Sequence, residues 1–175
     1  MMAKEVTRTR LGRVGVAVVV ALGLAGCASM GDAPPEGPVS EVSTFDLRSA
    51  DPDRVADALR RDGRVVLRGI TFDTASARLQ PGSEPAVRTI GDMLNANPDL
   101  RLAVVGHTDN VGGFDSNKAL SERRAQTIVT MLNRDYDVAS DRLVSLGVGP
   151  VAPIASNDDE AGRAENRRVE LVVIE

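Results

Sequence analysis

The chain has 175 residues, which is one ordinary domain with something extra, and its apolar fraction of 42% is enough for a packed core. Ring-bearing residues make up only 2%, so the core must be built from Val, Leu, Ile, Ala and Met. The net charge is −4, Lys4 and Lys118 are the only lysines, and no basic stripe dominates. With only Tyr136, Phe45, Phe72 and Phe114 carrying rings, base stacking and a basic footprint are both missing, which argues against nucleic acid.

The first 26 residues read as an export signal. Lys4, Arg8, Arg10 and Arg13 form a basic start, and Val14 to Ala25 is an apolar run. That run is shorter than the ~20 residues a membrane-spanning helix needs. It ends in Leu24-Ala25-Gly26-Cys27, which resembles the bacterial lipobox. The resemblance implies cleavage before Cys27 and acylation of that residue, including palmitate, because a thiol is needed to carry a diacylglycerol thioether. Secretion with a chance cysteine near the cleavage site is the plainer alternative. Cys27 is the only cysteine, so no intrachain disulfide can form. Without residues 1–26 the chain keeps 17 basic and 24 acidic residues and a net charge of −7. No polybasic membrane patch remains, so anchoring would rest on the acyl chains. Ala28, rather than Asp, follows the cysteine; by the lipoprotein sorting rule this favours the outer membrane.

Residues 27–43 read as the lipidated start and a flexible tether rich in Pro, Gly, Ser and acids. Such a stretch reaches at most ~55 Å and about 20–25 Å on average. Residues 44–64 read as a short strand and helix extension, with a helix over Asp51 to Arg61 capped by Asp51 or Asp53 and ended by Gly63. Arg64 to Phe72 reads as a strand. Gly82-Ser83 opens a helix whose apolar face is Ala86, Val87, Ile90, Met93 and Leu94, and Asn97-Pro98-Asp99 ends it. Leu100 to Gly106 is a second strand and Thr108 to Asp115 a Gly-rich loop. Asn117 to Asp135 is the longest helix, with Ala125, Ile128, Val129 and Leu132 as its core stripe. Leu143 to Val148 is a third strand, Gly149 to Glu160 a loop, and Arg168 to Ile174 the last strand. The order βαβαββ predicts an α/β two-layer sandwich, with helices packed on one face of a small mixed sheet over residues 65–175. A right-handed crossover between the first two of these strands is expected.

Four segments carry a more specific signal: Ile70-Thr71-Phe72-Asp73, Gly106 to Gly112 (GHTDNVG), Leu120 to Ala125 (LSERRA) and Gly162 to Leu171 (GRAENRRVEL). In this order and spacing they resemble the OmpA-like family of peptidoglycan-binding domains, which includes Pal lipoproteins, OmpA tails and flagellar stator proteins. The family resemblance implies a non-covalent clamp on the wall's stem peptide, not an enzyme, and no cofactor. The epitope it implies is diaminopimelate, whose side-chain end carries a carboxylate and an ammonium on one carbon. Carried over by position, Asp109 receives the ammonium and Arg124 the carboxylate.

The residues support that pairing independently. Asp109 follows a strand end, in a loop opened by Gly112 and Gly113, and ligands in α/β sheets favour such ends. Arg124 shares a helix face with Leu120 and Ile128, whereas Arg123 points elsewhere. A guanidinium held partly dry is a good bidentate carboxylate receptor. Residue types alone favour the plainer reading, Asp109 as a turn cap and Arg124 as its salt-bridge partner, and in the empty protein the two are expected to bridge each other. Asn117 matches a ligand- or loop-binding position of the family and fits equally an N-cap. Asp73 and Thr74 match the pocket rim, and Ala75 stands where the family often has a polar residue. Arg167 matches a second carboxylate-binding arginine; its alternative is a salt bridge to Asp158, Asp159 or Glu160. Arg163 and Arg168 read as structural.

His107 is the only histidine, with no Cys or second His to complete a metal set, and is expected to orient the Asp109 loop through a ring hydrogen bond. Ser121 and Ser145 have no base beside them, so a hydrolase triad is unsupported. The expectation is therefore an outer-membrane lipoprotein, anchored by Cys27, that grips peptidoglycan. The alternative is a periplasmic interaction module, docking a Tol-type or outer-membrane protein partner, with wall binding secondary.

Overall fold

The computed structural model describes residues 42–175; the export signal, Cys27 and most of the tether lie outside the described residues. The chain begins with β1 (Thr44–Asp46) and α1 (Pro52–Asp62), then β2 (Arg64–Arg68). Asp51 caps α1 by accepting from the Asp53 N–H at 3.0 Å, and Gly63 ends it in the left-handed conformation at φ 72°. These are the caps the sequence predicts. β2 stops at Arg68 rather than running to Phe72, because Gly69 turns the backbone at φ 93°. Beyond it, Phe72 keeps one isolated bridge to Leu79.

A single 3-10 turn at Pro81–Ser83 leads into α2 (Glu84–Ala96), whose predicted apolar face is fully buried. β3 (Leu102–His107) follows, then α3 (Phe114–Asp135), β4 (Leu143–Gly149), α4 (Glu160–Asn166) and β5 (Val169–Val173). α3 begins three residues earlier than predicted. Its cap is Gly113, so Asn117 is in the first turn and is not the N-cap. α4 begins where the stretch read as a loop ends, at Glu160, and fills the gap before the last strand, where no element was expected. At seven residues it is too short to show an apolar period, and its signals are the Asp159 cap on the Gly162 N–H and the small residues after it.

The sheet order is β1-β2-β5-β3-β4. β5 is antiparallel to both β2 and β3, whereas β1–β2 and β3–β4 are parallel pairs. The sheet is thus mixed, and the last strand lies in its middle. Val65, Leu67, Leu102, Val104, Val169 and Leu171 point to one face and form one core with α1, α2 and α3. The two-layer sandwich predicted from the element order is the observed one.

Two glycines let α3 lie close to the sheet. A Cβ on Gly106 would collide with the Ser121 carbonyl, and one on Gly147 with the Glu122 backbone. The outer edge of β4 is then closed by side chains of α3, with the Gly147 N–H donating to Glu122 and the Gly149 N–H to Ser121 Oγ at 2.9 Å.

Candidate functional site

Because β5 runs against β3, the end of one meets the start of the other. The His107 N–H donates to the Arg168 carbonyl at 2.9 Å. The loop after β3, the start of α3, the chain just before β5 and the segment after β2 therefore converge at one end of the sheet. They enclose a cleft of about 620 Å³, lined among others by Phe72, Thr74, Thr108, Asp109, Arg124 and Arg167. Its size suits a small ligand or one residue of a polymer.

The loop that carries Asp109 is rigidly built. Asp109 Oδ1 accepts from the Val111 N–H at 3.1 Å, which closes a turn, and Asn117 Nδ2 donates to the Val111 carbonyl at 2.9 Å. Asn117 thus fixes the loop from inside the helix. Asp109 is 9% exposed. Its other oxygen does not meet Arg124. Arg167 Nη1 donates to Asp109 Oδ2 at 2.8 Å, and Arg167 Nη2 donates to Glu160 Oε1 at 2.6 Å. The expected resting bridge from Asp109 to Arg124 is therefore corrected to one from Asp109 to Arg167. The reason is the antiparallel placing of β5, which delivers Arg167 first.

Arg124 is 8% exposed, on the α3 face shared with Leu120 and Ile128. Its Nε donates to the Ser76 carbonyl at 2.9 Å, and its Cζ stands 5.1 Å from the centre of the Phe72 ring. Among the described residues no carboxylate forms an ion pair with it. Burial lowers its pKa first and the Arg167 charge second, while Asp109 opposes them. The Arg167 pKa is instead raised, chiefly by its hydrogen bond to Asp109. The cleft thus holds one satisfied ion network, Asp109–Arg167–Glu160, and one desolvated guanidinium without a counter-ion.

Other predicted residues spread out. Thr74 and Ala75 line the cleft, and Ala75 is held at φ 51°, a conformation that penalises its Cβ. Asp73 lies outside the lining and accepts from Arg78 Nε at 2.6 Å. Arg163 ties the loop through the Asn157 carbonyl at 2.9 Å, and Arg168 through the Ala152 carbonyl at 3.0 Å. Several lining residues were not singled out by sequence reasoning, Thr108 and Phe72 among them. Their signal was adjacency to the motif residues, which does not separate lining from packing. Glu160 was named only as one of three possible partners of Arg167.

His107 does not hold the Asp109 loop. Its ring lies on the sheet face away from the helices, 5% exposed, with Nε2 3.5 Å from Glu170 Oε1. Among the described residues neither ring nitrogen makes a well-formed hydrogen bond. Burial, then the Arg168 charge, push its pKa down to about 4, against an opposing pull from Glu170 and the Val151 backbone. Arg168 answers Glu170 directly, with Nε 2.8 Å from Oε1.

Residues 71–167 match the OmpA family. The chain belongs to the OmpA family. The OmpA-family chain is 38% identical over 104 residues to the probable lipoprotein YiaD of Escherichia coli, across 59% of this chain and 47% of that one. It is 38% identical over 143 residues to the peptidoglycan-binding protein ArfA of Mycobacterium tuberculosis, across 82% of this chain and 40% of that one. The chain thus spans less than half the length of these curated relatives. The peptidoglycan-associated lipoprotein from Burkholderia pseudomallei superposes with a TM-score of 0.55 at 26% identity, covering 71% of this chain and 100% of that one. The cell wall anchor of the T6SS from Pseudomonas aeruginosa does so at 0.54 and 28%, covering 73% and 99%. The shared fold is the one whose strand ends build the cleft.

Proposed function

We propose that this chain is a cell-envelope lipoprotein whose OmpA-family domain holds peptidoglycan non-covalently by the side-chain end of diaminopimelate in the stem peptide. Arg124 receives the carboxylate and Asp109 the ammonium. The observation that carries this reading is the state of Arg124, a desolvated guanidinium with no direct ion pair, in a cleft that a carboxylate, Asp109, also lines. A ligand carboxylate supplies the missing charge and two planar acceptors. The adjacent ammonium then meets Asp109, so the zwitterion is read as a unit. Thr74, Asn117 and Arg167 complete the binding residues, with Asp73 one step behind the rim. Acylated Cys27 and the tether extend the reading. A clamp fixed to the outer membrane and closed on the wall holds the two layers together. The names of the relatives and structural neighbours, a lipoprotein, a peptidoglycan-binding protein and a cell wall anchor, agree with it.

The test is co-sedimentation of the purified protein with isolated sacculi. Each of Asp109→Ala and Arg124→Ala leaves its binding partner's charge unmatched and costs on the order of 2–4 kcal/mol of binding. If the double variant pellets as well as the wild type, the assigned site is wrong. Radiolabelled palmitate incorporation, lost in Cys27→Ser, checks the anchor separately.

A further inference from the structure

The guanidinium of Arg124 is fixed in orientation. Its Nε donates to the Ser76 carbonyl at 2.9 Å, and the centre of the Phe72 ring lies 5.1 Å from its Cζ. Ser76 sits in a turn that is itself braced. The Ser76 N–H donates to the Asp73 carbonyl at 3.1 Å, and Arg78 Nε donates to Asp73 Oδ2 at 2.6 Å. The next carbonyl, of Ala77, accepts from Thr127 Oγ1 at 3.1 Å, which ties the turn to the same helix. The two Nη nitrogens of Arg124 donate to nothing among the described residues, and neither is sealed from solvent. The acids that line the cleft, Asp109 and Glu160, both pair with Arg167 instead. What remains open is a planar fork of N–H donors that carries a charge.

A fixed fork separates two forms of a carboxyl group. A carboxylate offers it a negative charge and two coplanar acceptors, one for each Nη. A carboxamide offers no charge, one acceptor and two N–H donors of its own. An exposed arginine tolerates an amide at little cost, because it swings out to water. Arg124 is 8% exposed and its Nε is already committed. An amide therefore meets the second Nη donor to donor or leaves it unmatched, and the buried charge stays unpaired. We propose that the cleft selects the free side-chain carboxylate of diaminopimelate and rejects its carboxamide, although the neighbouring amine is the same in both. The proposal rests on the diaminopimelate reading above and deepens it by naming the chemical form of the ligand. Amidation of the stem peptide then controls how much of the wall this protein can hold, with no change in the protein.

The experiment uses the full chain and two probes, measured by calorimetric titration. One is the tetrapeptide alanyl-glutamyl-diaminopimelyl-alanine; the other is the same peptide with the side-chain carboxyl of diaminopimelate converted to a carboxamide. Both keep the free amine, and the terminal alanine leaves diaminopimelate no other free carboxyl. The wild type is expected to bind the carboxylate on the order of tenfold to a hundredfold more tightly, the scale of hydrogen bonds between charged groups. Arg124→Gln is expected to lose most of that preference, because a side-chain amide pairs with either form. Arg124→Lys, which keeps the charge but not the fork, is expected to keep a smaller preference, and it is read should Arg124→Gln bind neither peptide. An undiminished preference in the variant that is read overturns the proposal, since the fork then plays no part in the choice. Equal wild-type affinities for the two peptides also overturn it; the diaminopimelate reading stands if Arg124→Gln weakens both and falls if it weakens neither. A wild type that binds neither peptide overturns that reading and this proposal with it.

Discussion

Arg167, rather than Arg124, holds the Asp109 carboxylate, with Nη1 2.8 Å from Oδ2. The same guanidinium reaches Glu160 at 2.6 Å, so two acids share one arginine. On the proposed reading an incoming ammonium would share Asp109 with Arg167, and Glu160 gives Arg167 a second partner. The neighbouring Arg124 meanwhile has no acid to lean on.

Glu160 therefore tunes the cleft from its edge. In Glu160→Gln, Arg167 turns wholly to Asp109 and the cleft loses a negative charge, and both changes weaken attraction for an ammonium. Sacculus binding is expected to fall several-fold. Stability should shift by less than ~1 kcal/mol, because the Glu160 side chain is 67% exposed. A variant that binds as tightly as the wild type would show that Arg167 does not compete with the ligand.

Arg124 carries a cost in the empty protein. Arg124→Met keeps the aliphatic stem against Phe72 and removes a desolvated charge that no direct ion pair offsets. Thermal unfolding is expected to show stability unchanged or raised by up to about 1–2 kcal/mol, while wall binding is lost. A variant that loses both would mean that the Ser76 hydrogen bond and the ring contact outweigh the burial of the charge.

The site also depends on how closely α3 lies against β3 and β4. Gly106→Ala and Gly147→Ala each place a methyl group where backbone of α3 already stands. Each is expected to cost at least ~1–3 kcal/mol of stability, read as a drop in the denaturant midpoint. Wall binding should fall with it, since the same shift moves Arg124 relative to Asp109.

His107 makes stability depend on pH. The fold holds the imidazole neutral, with a pKa of about 4 against 6.5 when unfolded. As pH falls through this window the unfolded chain takes up a proton that the folded chain refuses. The contribution is therefore complete above about pH 6.5 and is lost on going down to about pH 4, by up to roughly 3 kcal/mol. Arg168, Glu170 and Arg64 are the charges that bear on the ring. Chemical denaturation from pH 7 to pH 4 should show a shallower loss in His107→Gln than in the wild type. Parallel curves would place the ring nitrogens in contact with solvent.

Much of this was legible in the residues. The caps at Asp51 and Gly63, the apolar face of α2 and the burial of Arg124 beside Leu120 and Ile128 all follow from local pattern, because helical spacing and capping act within a few residues of one another. The short helix α4 was not legible, since it is too brief to show a period. The length of β2 was misjudged because the apolar run continues past Gly69, and only the positive φ there ends the strand.

By itself, the sequence determined the family, the order of the longer strands and helices, and the placing of Asp109 at a strand end and Arg124 on a buried helix face. Each is written in short contiguous segments. Only the tertiary structure decided who pairs with whom. β5 enters the sheet between β2 and β3, and so brings Arg167 to Asp109 across 58 positions of chain. That choice depends on strand order, which no local pattern encodes. It turns an expected Asp109–Arg124 bridge into a satisfied ion network beside a guanidinium that still lacks its counter-ion.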